Sequence, residues 1–469
     1  MRQGIKKGQF LGTDETAVVA QCTPQGAGAI ALLRISGHDA ISVVQRAAKI
    51  ADKTLLIDAS SHTIHYGWVV DADGTHLDQV LFLLMRAPRT FTGQDTVEIT
   101  CHNNPFLIER IVARLIACGA RSAQEGEFSK RAFLNKKIDL VQSEAINELI
   151  RANTQIALKK SLAQLSGSLS SWVTNLEKDI IKALAFCQAS LEFLDDESVT
   201  FAQEIRNFVV AVHKKITTIR VGFEGQQQVR EGVRIAIVGA VNAGKSSLFN
   251  RLLAKERAIV TSVAGTTRDT IEAGLNRSGV FWTLVDTAGV RVTDDIIEQR
   301  GIERSFAEAA RADLIVLVVD GAKKLSGSIK EVYCDLFTNY SHKIIFVRSK
   351  VDSDQLFELP EELDSKVVDV SSINGQGLND LLDCLDLSIS KLMESCESPF
   401  LLNKRQMELL DTLDGQLESI LQEHLQEPIQ YELLSYHLQD AAQTIAQVTG
   451  RSISEAGMDA IFKEFCIGK

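Results

Sequence analysis

Followed by the spacing of its apolar residues, the chain changes character three times. Up to about residue 135, short runs alternate apolar with polar positions, as in TAVVAQ at 16–21, TIHYGWVV at 63–70 and QVLFLLM at 79–85. That period of two predicts half-buried strands. Asp71-Ala72-Asp73-Gly74 supplies a turn signal between the last two, and a helix is predicted from Pro105 to Ala117, so the segment reads as α+β. From about 140 to 228 the spacing lengthens. Leu158, Leu162, Leu165, Leu169, Trp172 and Leu176 recur three and four apart, predicting one continuous apolar stripe on a long helix that packs in a bundle or dimer. Helical spacing returns from about 403 to 465. Between the helical flanks, VRIAIVG, VFWTLVDTAG, DLIVLVVDG, KIIFVRSK and KVVDVSS alternate with helical stretches, the pattern of a doubly wound, mostly parallel sheet covered on both faces. The expected domains are 1–135 (α+β), 136–230 (helical, first part), 231–390 (inserted α/β) and 391–469 (helical, second part).

Composition narrows the class. A chain of 469 residues exceeds one ordinary core, and 45% hydrophobic with 24% charged residues and six prolines describes folded domains, not a disordered chain. A net charge of -11 provides no protein-wide positive field for nucleic acid or an anionic membrane, so contact with RNA must be local or shared with a partner. The basic pairs Lys130 and Arg131, Lys136 and Lys137, and Lys159 and Lys160 read as solvated faces. Eight cysteines stand singly, without zinc-site spacing, which suits small buried hydrophobes in a reducing compartment. The opening MRQGIKKGQFLGTDE has no apolar stretch, and the longest apolar runs are strand-length, so a cytoplasmic protein with no membrane association is expected.

The strongest chemical signal is GAVNAGKSS at 239–247, lying directly after a predicted strand and before a helix-like SLFNRLLAKE. GxxxxGK[ST] in that context is a P-loop. Backbone amides of Asn242, Ala243 and Gly244 and the helix N-terminus face phosphate, Lys245 reaches the terminal phosphates, and Ser246, followed by Ser247, offers a hydroxyl to Mg²⁺. Asp286-Thr287-Ala288-Gly289 ends the next strand, where an acidic group holds the magnesium shell and a glycine moves with the γ-phosphate. Gly265-Thr266-Thr267-Arg268-Asp269 lies between them and offers Thr267 as a γ-phosphate sensor through Mg²⁺. Base choice rests on Ser349-Lys350-Val351-Asp352, where GTPases usually carry NKxD. A carboxylate at 352 accepts the two hydrogens of guanine's N1 and exocyclic amine, which adenine lacks. Ser349 is shorter than Asn and is expected to lose contacts to the base and to the P-loop, weakening affinity while keeping guanine preference. Ser371, Ser372 and Ile373 occupy the place of the last guanine-contacting loop. Val290, after DTAG, cannot orient water as a glutamine does, and Asp294, Asp295 and Glu298 are the nearest polar supply, although such charges ordinarily serve solvation.

Together with LLRISG at 32–37, FTGQDTVEI at 91–99, GEFSKRAFLNKKIDL at 126–140, IEQRGIERS and the terminal CIGK, these motifs resemble the MnmE (TrmE) family of tRNA-modification GTPases across nearly the whole chain from about Thr16. The resemblance implies an N-terminal tetrahydrofolate-binding and dimerisation domain, a discontinuous helical domain and an inserted Ras-like GTPase domain. It implies a homodimer that works with the FAD-dependent partner MnmG to place a (carboxymethyl)aminomethyl group on C5 of the wobble uridine of certain tRNAs. A 5,10-methylene or 5-formyl tetrahydrofolate derivative would bind at Arg34, Glu98, Lys137 and Lys469. Thr261, Ser262, Val263, Ala264, Gly265, Thr266 and Thr267 would belong to the GTP site, with Asn242, Thr261, Val263 and Thr266 holding K⁺. Glu298 would position the attacking water, and Cys466 would serve the modification chemistry. Asn103 and Asn104 stand where the family has two glycines, and asparagine tolerates φ > 0 next best. The alternatives are an Era-like regulatory GTPase acting in ribosome assembly, against which the absence of a GXXG loop beside basic residues argues, and a P-loop ATPase, against which Asp352 argues.

Overall fold

Alternating polarity at the N-terminal end produces strands that bury every second side chain. Gly67 and Val69 are buried in Thr63–Val70, and Val80, Phe82 and Leu84 in His76–Met85. The computed structural model describes residues 16–192, 201–221, 223, 226–255, 271–287, 306–324, 327–354, 367–394 and 398–468. They fall into two compact units, one from the residues up to 147 with 165–208 and 419–469, the other from 148–164 with 209–418.

The first unit holds a seven-stranded sheet: β1 (Val18–Gln21), β2 (Ile30–Ser36), β3 (Ala48–Ile50), β4 (Thr63–Val70), β5 (His76–Met85), β6 (Thr96–His102) and β7 (Arg121–Ser122), in the order β3-β4-β5-β6-β2-β1-β7. All neighbours are antiparallel except the β1–β7 edge pair. Leu33, Ile35, Phe82, Leu84, Val97 and Ile99 form one face, covered by Val43 and Val44 of helix Ala40–Ala47 and by Ile111 and Leu115 of helix Pro105–Ala117. Each such fully buried side chain contributes about 1.5–3 kcal/mol. The other face carries the exposed Ile30, Ile64, Tyr66 and Leu81. Helix Pro105–Ala117 begins at Asn104, whose side chain accepts from the backbone N–H groups of Phe106 and Leu107. Neither asparagine of this pair needs the tolerance for φ > 0. Asn104 has φ -121 and works as a helix cap, while Asn103 ties its amide to the carbonyl of Gly26 at 2.7 Å.

The single apolar stripe read through Leu158 and Leu176 is divided. Helix Gln155–Leu165 ends before Gly167, whose φ of +96 no helix accommodates, and a new helix runs Ser168–Glu192. On the first helix Ala157, Ser161 and Gln164 are buried, and Leu158 and Leu162 are exposed. On the second, Leu169, Val173, Leu176, Ile180 and Ala183 keep the helical period and pack against helix Tyr431–Val448. Lys130-Arg131 is a second departure from expectation. Arg131 is 6% exposed and donates to the carbonyls of Ser36 and Thr16, to Gln94 and to Glu127, which also pairs with Arg121. Lys130 pairs with Asp459 of the C-terminal helix Glu455–Phe462. A short charge run is a solvated face only if its helix is, and helix Glu127–Leu134 is packed on both β1 and the C-terminal helix through Phe128 and Phe133.

The second unit contains β8 (Val233–Gly239), β9 (Ile271–Arg277), β10 (Val280–Asp286), β11 (Leu314–Asp320), β12 (Ile344–Ser349) and β13 (Val367–Val370) in the order β13-β12-β11-β8-β10-β9. Five strands are parallel and β9 is antiparallel at the edge, so the doubly wound, mostly parallel class is the one observed. Central strands such as Leu314–Asp320 bury both faces, which explains their unbroken apolar runs. Ile235, Ile237, Val316 and Val318 meet helices Lys245–Lys255 and Leu378–Glu394 on one side; Ala236, Val238, Ile315 and Leu317 meet helix Gly327–Tyr340 on the other.

The buried Glu127 is a test of the first unit. Burial opposes its ionisation, but the hydrogen bonds from Arg121 and the Gln124 N–H and the charges of Arg131 and Arg121 hold the carboxyl below its usual range. A depressed folded-state pKa contributes stability that is present above the unfolded value near ~4.3 and is lost as pH falls through the folded value. Glu127→Gln is expected to cost about 3 kcal/mol at pH 7, because two guanidinium groups lose their counter-charge. Urea titrations should show that difference shrinking below about pH 4; a difference independent of pH would contradict this account.

Candidate functional site

Strand β8 lies at the centre of its sheet, between β10 and β11, so the loop leaving its C-terminal end opens where the strand order reverses. Gly239 ends β8. A Cβ there would lie 2.2 Å from the carbonyl oxygen of Val318, so only glycine lets the loop leave this close to β11. The loop continues through Asn242 at φ 60 and enters helix Lys245–Lys255, directing its N-terminus into the crevice. Lys245 folds back over the loop, its Nζ donating to the carbonyls of Gly239 and Ala240, both at 2.8 Å. Burial pushes its ammonium down from the ordinary lysine value, and the carboxylate of Asp286 partly offsets this. Ser246 and Ser247 are exposed at the start of the helix. A collar of backbone N–H groups around a partly desolvated cation recognises phosphate oxygens.

Asp286 and Thr287 follow from the pairing of β10 with β8. Asp286 is buried opposite Ile237, and Thr287 Oγ1 donates to the carbonyl of Ile237 at 2.9 Å. The residues expected from the sequence to read the base converge from two further strand ends. Ser349, at the end of β12, is buried, and its hydroxyl lies 2.6 Å from the carbonyl of Ala243 in the P-loop and 3.0 Å from that of Val319. The expected loss of contact to the P-loop is therefore corrected: serine keeps it. One hydroxyl hydrogen serves two carbonyls, whereas an amide has a donor for each. Lys350 at φ 61 pairs with Asp320 at 2.6 Å. Asp352 is exposed and accepts from the buried Ser371 Oγ at 2.5 Å, while Ser371 Oγ also accepts from the N–H groups of Ile373 and Asn374. Ser372 is half-buried and Ile373 exposed on the same loop. The fold thus brings 239–247, 286–287, 349–352 and 371–373 to one end of one sheet. Thr261, Ser262, Val263, Ala264, Gly265, Thr266, Thr267, Ala288, Gly289 and Glu298 lie outside the described residues.

Tyr333 carries no sequence motif, yet it supports the loop. Its buried hydroxyl accepts from the Ala240 N–H at 2.9 Å and lies 3.4 Å from the carbonyl of Val318. Burial pushes its phenol up from the ordinary tyrosine value. Nothing in its helix pattern separates it from an ordinary core residue, and only the fold shows its role.

A second cluster forms in the first unit. Arg34 and Glu98 face each other across β2 and β6, with Nε and Nη2 both 2.8 Å from Glu98 Oε1. The guanidinium lies 5.9 Å from the Phe91 ring and 5.5 Å from that of Phe128. Lys137 reaches the loop bearing Phe91, donating to the carbonyl of Pro88 at 2.8 Å and lying against Gly93. Lys469 lies outside the described residues, while its neighbour Gly468 accepts from Cys22 Sγ at 3.0 Å. Cys22 lies in no motif, and Phe91 and Phe128, although they fall within FTGQDTVEI and GEFSKRAFLNKKIDL, carry no role that the residue pattern alone assigns. Among the described residues no group of three or more metal-ligating side chains occurs, and no helix is long and apolar enough to cross a membrane.

Fold and nucleotide site together define a P-loop GTPase joined to an α+β unit and helical segments. The family described as "MnmE helical domain" matches residues 140–466, and "GTP-binding protein TrmE N-terminus" matches residues 17–137. Proteins named tRNA modification GTPase MnmE from Thermotoga maritima and from Aquifex aeolicus are each 35% identical over 96% of this chain and 99% of their own. The protein of that name from Bacillus mycoides is 36% identical with the same coverage. The chain belongs to the MnmE family.

The two carbonyls at Ser349 generate a test. Ser349→Ala leaves them without their buried donor and loosens the loop, so affinity for a fluorescent GDP analogue is expected to fall about tenfold. Unchanged affinity in a titration would show that the hydroxyl does not support the site.

Proposed function

We propose that this chain hydrolyses GTP and couples the cycle to modification of tRNA, placing an aminomethyl-type group on C5 of a wobble uridine together with the FAD-dependent partner MnmG. The observation that supports it most is the convergence of Lys245, Asp286, Ser349 and the Asp352–Ser371 pair at one sheet end, in a chain of this family. The residues suit magnesium-bound GTP: the crowding at Gly239 shapes a cradle for phosphate, Lys245 would meet the terminal phosphates, Ser246 and Thr267 would ligate Mg²⁺, and Asp286 would hold its water shell. Asp352 would take the guanine edge. Ser371 already occupies part of that carboxylate and sets its orientation. Asn242, with Thr261, Val263 and Thr266, would hold K⁺, a charge able to stabilise the transition state when two G domains of a homodimer meet. Glu298 would position water in place of the apolar Val290. The G domain is assigned to 231–390, between helical parts 136–230 and 391–469.

Tetrahydrofolate fits the second cluster. A carboxylate beside a guanidinium and two aromatic rings matches a flat heterocycle with a donor edge and an acidic tail. Glu98 would accept from the pterin edge, while Arg34, Lys137 and Lys469 would take the tail carboxylates; when bound, the cofactor supplies the one-carbon unit. Cys466, on the tail that reaches Cys22, would contribute a thiol to that chemistry. No observation favours the ribosome-assembly switch weighed from the sequence.

Turnover of GTP and ATP by the purified chain, compared in potassium and sodium salts of equal ionic strength, tests the nucleotide reading. GTP is expected to be favoured by at least ~100-fold, and sodium to slow hydrolysis about tenfold or more. Comparable use of ATP would reject Asp352 as the base reader, and equal rates in both salts would remove the cation. Mass spectrometry of tRNA nucleosides from cells without the chain tests the modification role, since unaltered wobble uridines would reject it and leave the GTPase intact.

A further inference from the structure

We propose that Cys22 and Cys466 form a reversible redox pair, in which a hydroperoxide oxidises the exposed tail thiol and the resulting disulfide clamps the C-terminal tail to the first-unit sheet. The two segments already meet. Cys22 follows β1, its N–H donating to the carbonyl of Leu32 at 2.8 Å, and its Sγ donates to the carbonyl of Gly468. A Cβ on Gly468 would lie 3.0 Å from the Cα of Cys22 and 2.3 Å from the carbonyl oxygen of Gln21, so the tail runs directly against the backbone at 21–22. That geometry puts the Cα atoms of residues 22 and 468 within about 4.5 Å, and two residues of chain add at most about 7 Å to reach Cys466. Upstream, Phe465 is buried and the Cys466 carbonyl accepts from the Gly126 N–H at 3.4 Å, so Cys466 is held on the same surface.

The thiols differ in the way such a pair requires. Cys466 is exposed, while Cys101, Cys118 and Cys187 are buried. Burial raises the Cys22 thiol above its ordinary value despite the lowering influence of Arg34, so at rest it stays protonated and donates to Gly468. Attack of the Cys466 thiolate on the peroxide O–O bond gives a sulfenic acid and an alkoxide or hydroxide; the peroxide takes the electron pair. Cys22 sulfur then forms the S–S bond as the S–O bond of the sulfenic acid breaks, and the Cys22 proton leaves with the hydroxyl as water. A disulfide needs the two Cα atoms about 4.4–6.8 Å apart. The two spans above place the Cα atoms of Cys22 and Cys466 within about 11.5 Å, so the terminal turn must carry Cys466 toward Cys22 as the S–S bond forms. Any consequence for one-carbon chemistry rests on the folate reading above; the thiol pair does not.

Full-length protein is treated with about two equivalents of hydrogen peroxide, alkylated, digested without reductant and mapped by mass spectrometry. A cross-linked peptide joining Cys22 to Cys466 in more than about half of the chains, reversed by dithiothreitol, is expected. In Cys22→Ser, and equally in Cys22→Ala should the first fold poorly, the cross-link disappears and Cys466 advances to the sulfinic acid. GTP turnover of these variants, expected unchanged, reports that the chain is folded. Recovery of alkylated Cys22 alongside sulfinic Cys466 in the unsubstituted protein overturns the proposal, as does pairing of Cys466 with other thiols at comparable yield. Folate titration of the reduced protein is a separate readout, so failure of the folate reading leaves the cross-link result standing.

Discussion

The carbonyl oxygen of Val318 leaves no room for a side chain at residue 239, and the nucleotide site depends on that approach. It lets β8 end against β11 and turn at once into the loop that Lys245 bridges. The same closeness brings Tyr333 from a neighbouring helix to both strands, where one phenol joins Ala240 to Val318. Ser349 joins the end of β12 to Ala243 from the other side. The loop at 239–247 is therefore held by groups from three elements besides its own.

A different economy governs the first unit. Its sheet packs one face on two helices, and charge is buried where the chain returns. Arg131 reaches four groups on the segments at 16, 36, 94 and 127, joining the segment before β1, the end of β2 and the loop after residue 90. Lys130, the next residue back on that helix, pairs with Asp459 on the C-terminal helix. The tail that follows passes Gly126 and brings Gly468 against Cys22, beside the strand bearing Arg34. Residues separated by more than four hundred positions thus share one surface, and the exposed thiol of Cys466 is carried to it.

Several features were legible because they rest on local physics. A helix from Pro105 to Ala117 follows from a proline at its first turn and apolar spacing, and the central strands of the second unit follow from unbroken apolar runs. Strand β9 was not foreseen, since IEAGLNR breaks its apolar run with Gly and polar residues and is held as an edge by pairing with β10. Leu158 and Leu162 joined an apparent stripe with Leu169 because spacing alone cannot register a left-handed residue at Gly167.

The P-loop motif, the order of strands along the chain and the expectation of a guanine-reading carboxylate at Asp352 came from the sequence itself, because each needs only residue types at fixed short spacing. Tertiary structure alone decided that Arg131 is buried, that Ser349 still touches the P-loop, that Tyr333 supports it and that Cys22 meets the tail. Those outcomes turn on which distant backbone groups lie within hydrogen-bond reach, and no one-dimensional pattern carries that distance.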